Sequence, residues 1–123
     1  MKQILLVLLI VYISLSETLS FNVNYFEAKT FNVNIEQTIN ETPIQQIDIN
    51  TDYYITLRGM FNGKQVGKTF TILDSYNKLL EYHFICEDDS SDIYSITLDL
   101  FDKLIILNNT NNIIEIYYLE LLP

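Results

Sequence analysis

The stretch that decides the fold is YYITLRGMFNGKQVGKTFTI, residues 53–72. Its centre, Asn62-Gly63, is the residue pair preferred in a two-residue type I′ turn between antiparallel strands. The predicted cross-strand pairs are Tyr53 with Ile72, Ile55 with Phe70, Leu57 with Lys68, and Gly59 with Val66. These residues share one mainly apolar face with Phe61, and the other face is mainly polar. Because turn and alternation agree, the stretch predicts a β-hairpin in this register, with Gly59 and Gly67 marking bulges or close backbone approach.

Strands with the same period-two alternation are predicted after this hairpin. LLEYHFICE, residues 79–87, and IYSITLDLF, residues 93–101, each form one apolar face. The predicted inward residues are Leu80, Tyr82, Phe84, Cys86, Tyr94, Ile96, Leu98 and Leu100. LIIL at 104–107 and IIEIYYLEL at 113–121 complete the pattern as two more strands. DSYNKL at 74–79 is predicted to be a turn or a single helical turn.

The tetrapeptide FNVN occurs twice before the hairpin, at residues 21–24 and 31–34. Its apolar-polar-apolar-polar order is the shortest unit of an amphipathic strand. Repeat architectures normally need at least about three units. We therefore interpret the two copies as two neighbouring strands and not as a functional repeat.

The pattern as a whole predicts an all-β fold. About eight or nine short strands follow one another, with turn signals roughly every eight to twelve residues, and no long helical period interrupts them. We expect a single small antiparallel β-sandwich of the immunoglobulin-like or jelly-roll type. The tryptophan and the cysteine pair of immunoglobulin domains are missing, since the chain has no Trp and one Cys.

The first residues, MKQILLVLLIVYISLSETLS, have the three-part layout of a secretory signal peptide. Lys2 gives a basic start, an apolar run extends from Ile4 to Ile13, and small residues predict cleavage after Ser16 or Ser20. The apolar run is shorter than the roughly 20 residues that a membrane-spanning helix needs. We expect residues 1–20 to be a cleaved leader, residues 21–123 to form one domain, and the protein to be secreted.

The charge balance restricts the partners. The chain has 16 Asp and Glu against 7 Lys and Arg, a formal net charge of −9. Such a field repels nucleic acid phosphates and anionic lipid surfaces, so we expect neither as a partner. Cys86 is the only cysteine, so an internal disulfide is impossible. Its apolar strand face favours burial, and a bond to a second chain is the alternative.

Catalytic groups are few. The one histidine, His83, lies on the polar face of its predicted strand, and Cys86 faces the opposite side. The nucleophile elbow of α/β-hydrolases, phosphate-binding loops and a set of zinc ligands are all missing. We therefore expect a protein that is not an enzyme.

Calcium is the one metal for which the sequence offers ligands, since this ion takes about six to eight oxygen atoms. Two acidic segments, DINTD at 48–52 and EDDSSD at 87–92, contain suitable side chains. The candidate ligands are Asp48, Asn50, Asp52, Glu87, Asp88, Asp89 and Asp92. One site is possible only if both segments lie at the same end of the domain. The alternative is that both are ordinary turns, which are rich in Asp, Asn and Ser.

Two sequons, Asn40-Glu41-Thr42 and Asn108-Asn109-Thr110, fall in predicted loops. In a secreted protein they are candidate glycosylation sites, and Asn108 is the better one because Pro43 directly follows the first sequon.

The poverty of catalytic groups and the leader together favour a small secreted module that binds a protein or a glycan. The chain has 9 Tyr and 7 Phe, and solvent-facing tyrosines such as Tyr54 can contact either kind of partner. A different hypothesis is a structural or surface-coat protein that self-associates through an edge strand in LIIL or NIIEIYYLELLP. A small hydrolase and a lipid carrier with an internal cavity remain further alternatives.

Overall fold

The computed structural model describes residues 18–32, 35–39, 41–78, 80–99, 102–109 and 112–121. Within these ranges the chain forms nine β-strands. No helix in the described part is long and apolar enough to cross a membrane. The strands are β1 (Thr18–Asn32), β2 (Ile35–Ile39), β3 (Ile44–Asn50), β4 (Tyr54–Phe61), β5 (Lys64–Lys78), β6 (Glu81–Glu87), β7 (Ile93–Asp99), β8 (Lys103–Asn108) and β9 (Ile113–Leu121).

The strands close into a single β-barrel. From β3 to β9 each strand pairs antiparallel with the next one along the chain, and β1 pairs with both β3 and β9. The β1–β9 ladder extends from the pair Phe21–Leu121 to the pair Thr30–Ile113. Eight strands therefore form the wall, and the ninth, β2, pairs with the second half of β1.

The predicted β-sandwich, whether immunoglobulin-like or jelly-roll, is wrong, although the all-β class is right. Period-two alternation indicates that one face of each strand is buried, and this holds for a barrel wall as well as for two packed sheets. The difference lies in the ladder between β1 and β9, which joins the two ends of the sheet. The interior is enclosed by one sheet, and no second sheet is needed to cover it.

The hairpin at Asn62-Gly63 is confirmed. Ile55 pairs with Phe70, Leu57 with Lys68 and Gly59 with Val66, as the turn predicts. Asn62 and Gly63 have φ angles of 51° and 76°, which are the positive values that a type I′ turn requires.

The barrel interior is filled by alternating apolar side chains. The fully buried ones of largest volume are Tyr117, Phe70, Phe84, Ile47, Ile49, Ile55, Ile96, Leu104, Ile106 and Cys86. The predicted inward positions of β6 and β7 are confirmed for Phe84, Cys86, Tyr94, Ile96 and Leu98, and Tyr82 packs against this core. Leu80 is half-buried at a turn, and Leu100 lies outside the described residues.

Two local predictions are wrong. FNVN at 21–24 and the first half of FNVN at 31–34 belong to the same strand, β1, and positions 33–34 lie outside the described residues. The two copies are therefore not neighbouring strands. DSYNKL is not a turn, because β5 continues through it to Lys78 and pairs with β6. Its polar side chains are tolerated since this end of β5 is exposed.

The antiparallel order divides the connections between two ends of the barrel. The β4–β5, β6–β7 and β8–β9 connections lie at one end, called here the upper end. The β3–β4, β5–β6 and β7–β8 connections lie at the other, the lower end. β1 begins at the lower end, where Thr18 pairs with Asn50.

Candidate functional site

A gap in the sheet creates a concave surface among the described residues. β1 pairs with β3 through Asn22 and with β2 from Ala28 onward. Between these two ladders, the described residues include a strand partner for Val23–Glu27 only on the β9 side. Two bulges border the gap, since the register shifts between Val23 and Tyr25 in β1 and between Ile44 and Gln46 in β3. Bulges of this kind re-aim side chains and end pairing, often beside functional sites.

The lack of a side chain at Gly59 allows the segment 41–45 to lie close against β4. Pro43 and Ile44 approach β4 so closely that a Cβ atom at Gly59 would overlap the Pro43 carbonyl group. The Pro43 oxygen accepts a hydrogen bond from the Met60 N–H at 3.2 Å, and Ile44 pairs with Gly59. The segment 41–45 is thereby held against β4 and away from β1. The prediction that Gly59 marks close backbone approach is confirmed.

The gap opens into a cleft of about 790 Å³ near the upper end. Its walls are Val23–Phe26 of β1, the segment 41–45, and Met60 and Phe61 at the end of β4. Tyr25, Met60 and Phe61 are 46%, 45% and 60% exposed. Large apolar side chains that stay exposed around a concavity are typical of a binding surface.

The upper end also has a polar cluster, called here the rim cluster, which consists of Lys68, Asp88, Tyr94 and Asn108. The Tyr94 hydroxyl donates to Asp88 Oδ2 at 2.9 Å and accepts from Lys68 Nζ at 2.7 Å and from Asn108 Nδ2 at 3.4 Å. Lys68 Nζ also lies 3.3 Å from Asp88 Oδ2. Asp88 Oδ1 accepts from the backbone N–H groups of Ser90 and Asp92. The cluster therefore holds the β6–β7 loop over the barrel.

The pKa values of the rim cluster reflect these contacts. Burial alone would raise the pKa of Asp88, but the hydrogen bonds from Tyr94, Asp92, Ser90 and Lys68 outweigh it and lower that pKa below its ordinary value. Burial alone would lower the pKa of Lys68, but Tyr94 and Asp88 stabilise the ammonium and raise it. Both groups are therefore held in their charged forms, as in an ion pair that stabilises a loop.

The structure does not bring the predicted calcium ligands together. Asp48, Asn50 and Asp52 lie at or near the β3–β4 turn, at the lower end, and the segment 87–92 lies at the upper end. Asp48 contacts the Arg58 guanidinium at 2.7 Å and accepts from the Ser20 hydroxyl at 2.6 Å. Among the described residues, which include all seven candidates, no group of three or more His, Cys, Asp or Glu could hold a metal ion. The condition set for a shared site is therefore not met.

The two candidate glycosylation sites differ in what the structure describes. Asn40 lies outside the described residues. Asn108 ends β8, pairs with Ile113 and Tyr94, and its amide nitrogen donates to the Tyr94 hydroxyl. A glycan on Asn108 would have to displace this hydrogen bond.

His83 takes the position expected from alternation, whereas the tyrosines are divided between the interior and the surface. His83 faces outward, where its ring nitrogens contact Glu81 at 2.8 Å and Thr97 at 3.2 Å, and its ring stacks on Tyr76. It lies on the opposite face of β6 from Cys86, which is fully buried. Burial raises the pKa of the Cys86 thiol to about 12. Tyr117 is buried while Tyr118 faces outward and Tyr54 is exposed.

The residues of the cleft were not identified from the sequence. Phe61 shares the apolar face of the predicted hairpin, and period-two counting from Phe21 and Val23 predicts that Tyr25 lies on the apolar face of its strand. The bulge after Val23 turns Tyr25 outward, where it pairs with Tyr118. A bulge adds one residue without changing composition, so period-two counting fails beyond it. Gly59 is the one residue whose type signalled the site in advance.

Comparisons of this chain with protein-family models, with curated proteins and with solved structures give no match. The geometry of the cleft is therefore the basis for a functional proposal.

Proposed function

We propose that this protein is a secreted, non-enzymatic binding protein that holds an apolar side chain of a protein partner in the cleft between β1 and the segment 41–45. The observation that carries the proposal is the exposure of Tyr25, Met60 and Phe61 around the gap beside β1. Secretion rests on the leader-like sequence of residues 1–20.

The chemistry of the cleft favours a protein over a glycan. Aromatic and methionine side chains are enriched at the centres of protein interfaces, and methionine adapts its shape to the group that it contacts. Within the part of the chain that the structure describes, Val23–Glu27 is paired only with β9, so a short extended segment can lie beside it while its side chain enters the cleft.

Charge further restricts the partner. Glu41 lines the cleft, and the whole chain has a net charge of −9. Lys or Arg residues beside the apolar anchor would increase the rate of association. One large apolar side chain buries about 150–250 Å², much less than the roughly 800 Å² that each partner buries in a stable interface. We therefore expect weak and transient binding.

Selection of peptides from a random phage-displayed library tests the proposal. The full-length secreted protein should select peptides with an apolar residue flanked by basic ones. Phe61→Ser and Met60→Ser should each reduce binding of those peptides by about tenfold, since each removes apolar contact area. The matched control is Tyr53→Ser, because Tyr53 is 65% exposed but lies at the lower end.

Peptides that bind Phe61→Ser and the wild type equally would contradict the proposal, as would a library that yields no common pattern. A glycan array supplies the competing outcome. Glycan binding that is lost in Tyr25→Ser, together with no selected peptide, would assign the cleft to sugars.

A further inference from the structure

The outer face of β8 and β9 carries a quartet of aliphatic side chains, called here the outer patch. Leu104 and Ile106 of β8 and Tyr117 and Leu119 of β9 are buried inside the barrel. The intervening residues must then point outward. The outer patch consists of Ile105, Leu107, Ile114 and Ile116, all of which remain partly exposed. Ile105 lies directly opposite Ile116 and Leu107 opposite Ile114, so the four side chains form one continuous surface.

The opposite side of the barrel shows that an apolar outer face is not general here. In the circular strand order, β4 and β5 lie across the barrel from β8 and β9. Thr56 and Thr69 occupy the equivalent outward pair there, with their hydroxyl oxygens 3.4 Å apart. Arg58 points outward beside them and binds Asp48. The central outward pair on β4 and β5 is thus polar, whereas the two outward pairs of the outer patch are aliphatic.

The flanks of the outer patch have both signs of charge. On β1, Lys29 pairs with Ile114 and Glu27 with Ile116, and the two charges lie 3.7 Å apart. On β7, Ser95 pairs with Leu107 and Thr97 with Ile105. Below the patch lies a row of four residues in the order Tyr25, Tyr118, Lys103 and Asp99. These flanking residues include two cations, Lys29 and Lys103, and two anions, Glu27 and Asp99. Their charges balance, although the whole chain has a net charge of −9.

We infer that the protein forms a two-fold symmetric dimer in which the outer patches of two copies pack face to face. A two-fold axis parallel to the strands, between β8 and β9, places β8 of one copy over β9 of the other. Lys103 then meets the partner's Tyr118 ring, and Asp99 meets the partner's Tyr25 hydroxyl. Lys29 and Glu27 meet Ser95 and Thr97. No charge faces its own sign, so the patch is complementary to itself.

A second copy also fits better than edge pairing does. The segments LIIL and NIIEIYYLELLP were predicted to offer an edge strand, but β8 and β9 are each paired on both sides. The outer face of β8 and β9 is the surface that remains available for contact. Two sheets can pack face to face at a distance of about 10 Å. Two copies of an acidic chain repel each other over much of their surfaces, and a face flanked by as many cations as anions reduces that repulsion.

Sedimentation equilibrium of the secreted protein over a wide concentration range tests the inference. The average mass of the wild type should rise toward twice the monomer mass. Ile105→Lys and Ile116→Lys should each weaken association by about tenfold or more, because a lysine would be desolvated against the partner patch. Ile105→Thr and Ile116→Thr, which keep the branched shape, serve as milder variants and should weaken it severalfold. Thr56→Lys and Thr69→Lys are matched controls on the opposite face and should dimerise like the wild type.

A wild type that stays monomeric at every concentration would overturn the inference. The same conclusion would follow from a dimer that tolerates all four patch variants or that the Thr56 and Thr69 variants disrupt. Phe61→Ser provides the link to the binding cleft. It should dimerise normally while losing peptide binding, so that failure of one proposal is distinguishable from failure of the other.

Discussion

The carbonyl oxygen of Pro43 lies 3.2 Å from the backbone nitrogen of Met60 and accepts its hydrogen bond. This bond extends the contact between the 41–45 segment and β4 beyond Ile44 and Gly59, whereas the ladder between β1 and β3 ends at the pair Asn22–Gln46. The barrel wall stays closed below this point, where β1 pairs with β3, and opens above it. The cleft therefore lies where the β1–β3 ladder has ended and the 41–45 segment still contacts β4.

The absence of a side chain at Gly59 allows Pro43 to approach β4 this closely. We therefore expect Gly59→Ala to destabilise the fold. The added methyl group would overlap the Pro43 carbonyl, which is backbone and has little freedom to move. We expect the free energy of unfolding to fall by about 1–3 kcal/mol, the usual cost of overpacking. Urea denaturation measures it. Gly63→Asn is the control, because nothing lies within 4 Å of a Cβ at Gly63 and Asn tolerates its positive φ. Equal losses in both variants would disprove the special role of Gly59.

Asp88 should make the protein sensitive to acid. Its folded-state pKa is below the ordinary value of 3.8, so the stabilisation is present above the unfolded pKa and is lost as the pH falls through the folded one. The thermal midpoint should therefore fall as the pH is lowered below about 4. Asp88→Asn should flatten this dependence, and Asp89→Asn, an exposed neighbour, should keep it. An unchanged pH profile in Asp88→Asn would contradict the assignment.

Cys86 should be unreactive while the barrel is folded. Its side chain is fully buried and the pKa of its thiol is raised to about 12, so at pH 8 only about one thiol in 10,000 is ionised. Iodoacetamide should modify the protein slowly in buffer and completely in denaturant, as measured by mass spectrometry. Rapid labelling of the folded protein, or a disulfide-linked dimer on a non-reducing gel, would argue against burial.

The leader should be removed after Ser16 and not after Ser20. Thr18, Leu19 and Ser20 belong to β1 and pair with Asn50, Ile49 and Asp48. A chain that begins at Phe21 loses these pairs and the Ser20–Asp48 hydrogen bond of 2.6 Å. At about 1 kcal/mol for each hydrogen bond, it should be less stable by about 1–3 kcal/mol than one that begins at Glu17. Amino-terminal sequencing of the secreted protein and denaturation of the two chains test this.

Local features of the fold were predictable, and long-range ones were not. Asn62-Gly63 predicts both a turn and a register, and alternation correctly places Phe84 and Cys86 inside. The β1–β9 ladder pairs residues from opposite ends of the chain, and period-two patterning contains no signal for such a pairing. The bulge after Val23 reversed the direction of Tyr25 and hid the cleft for the same reason.

The separation of the two acidic segments follows from the strand count. Three strands, β4 to β6, lie between Asn50 and Asp88. In an up-and-down order, an odd number of intervening strands places two connections at opposite ends. A sandwich with crossing connections could have brought the segments together, so the wrong fold class also determined where the calcium ligands were sought.

The β1–β9 ladder also governs the order of events as the chain is made. β1 leaves the ribosome first, but its partner at 113–121 emerges only after every other described strand. Until then β1 and β8 are open edges with apolar inner faces, and such surfaces aggregate readily. Closure between distant segments is also intrinsically slow. The unclosed barrel is therefore the aggregation-prone stage of folding, and a chain truncated before Ile113 would lack the strand that closes it.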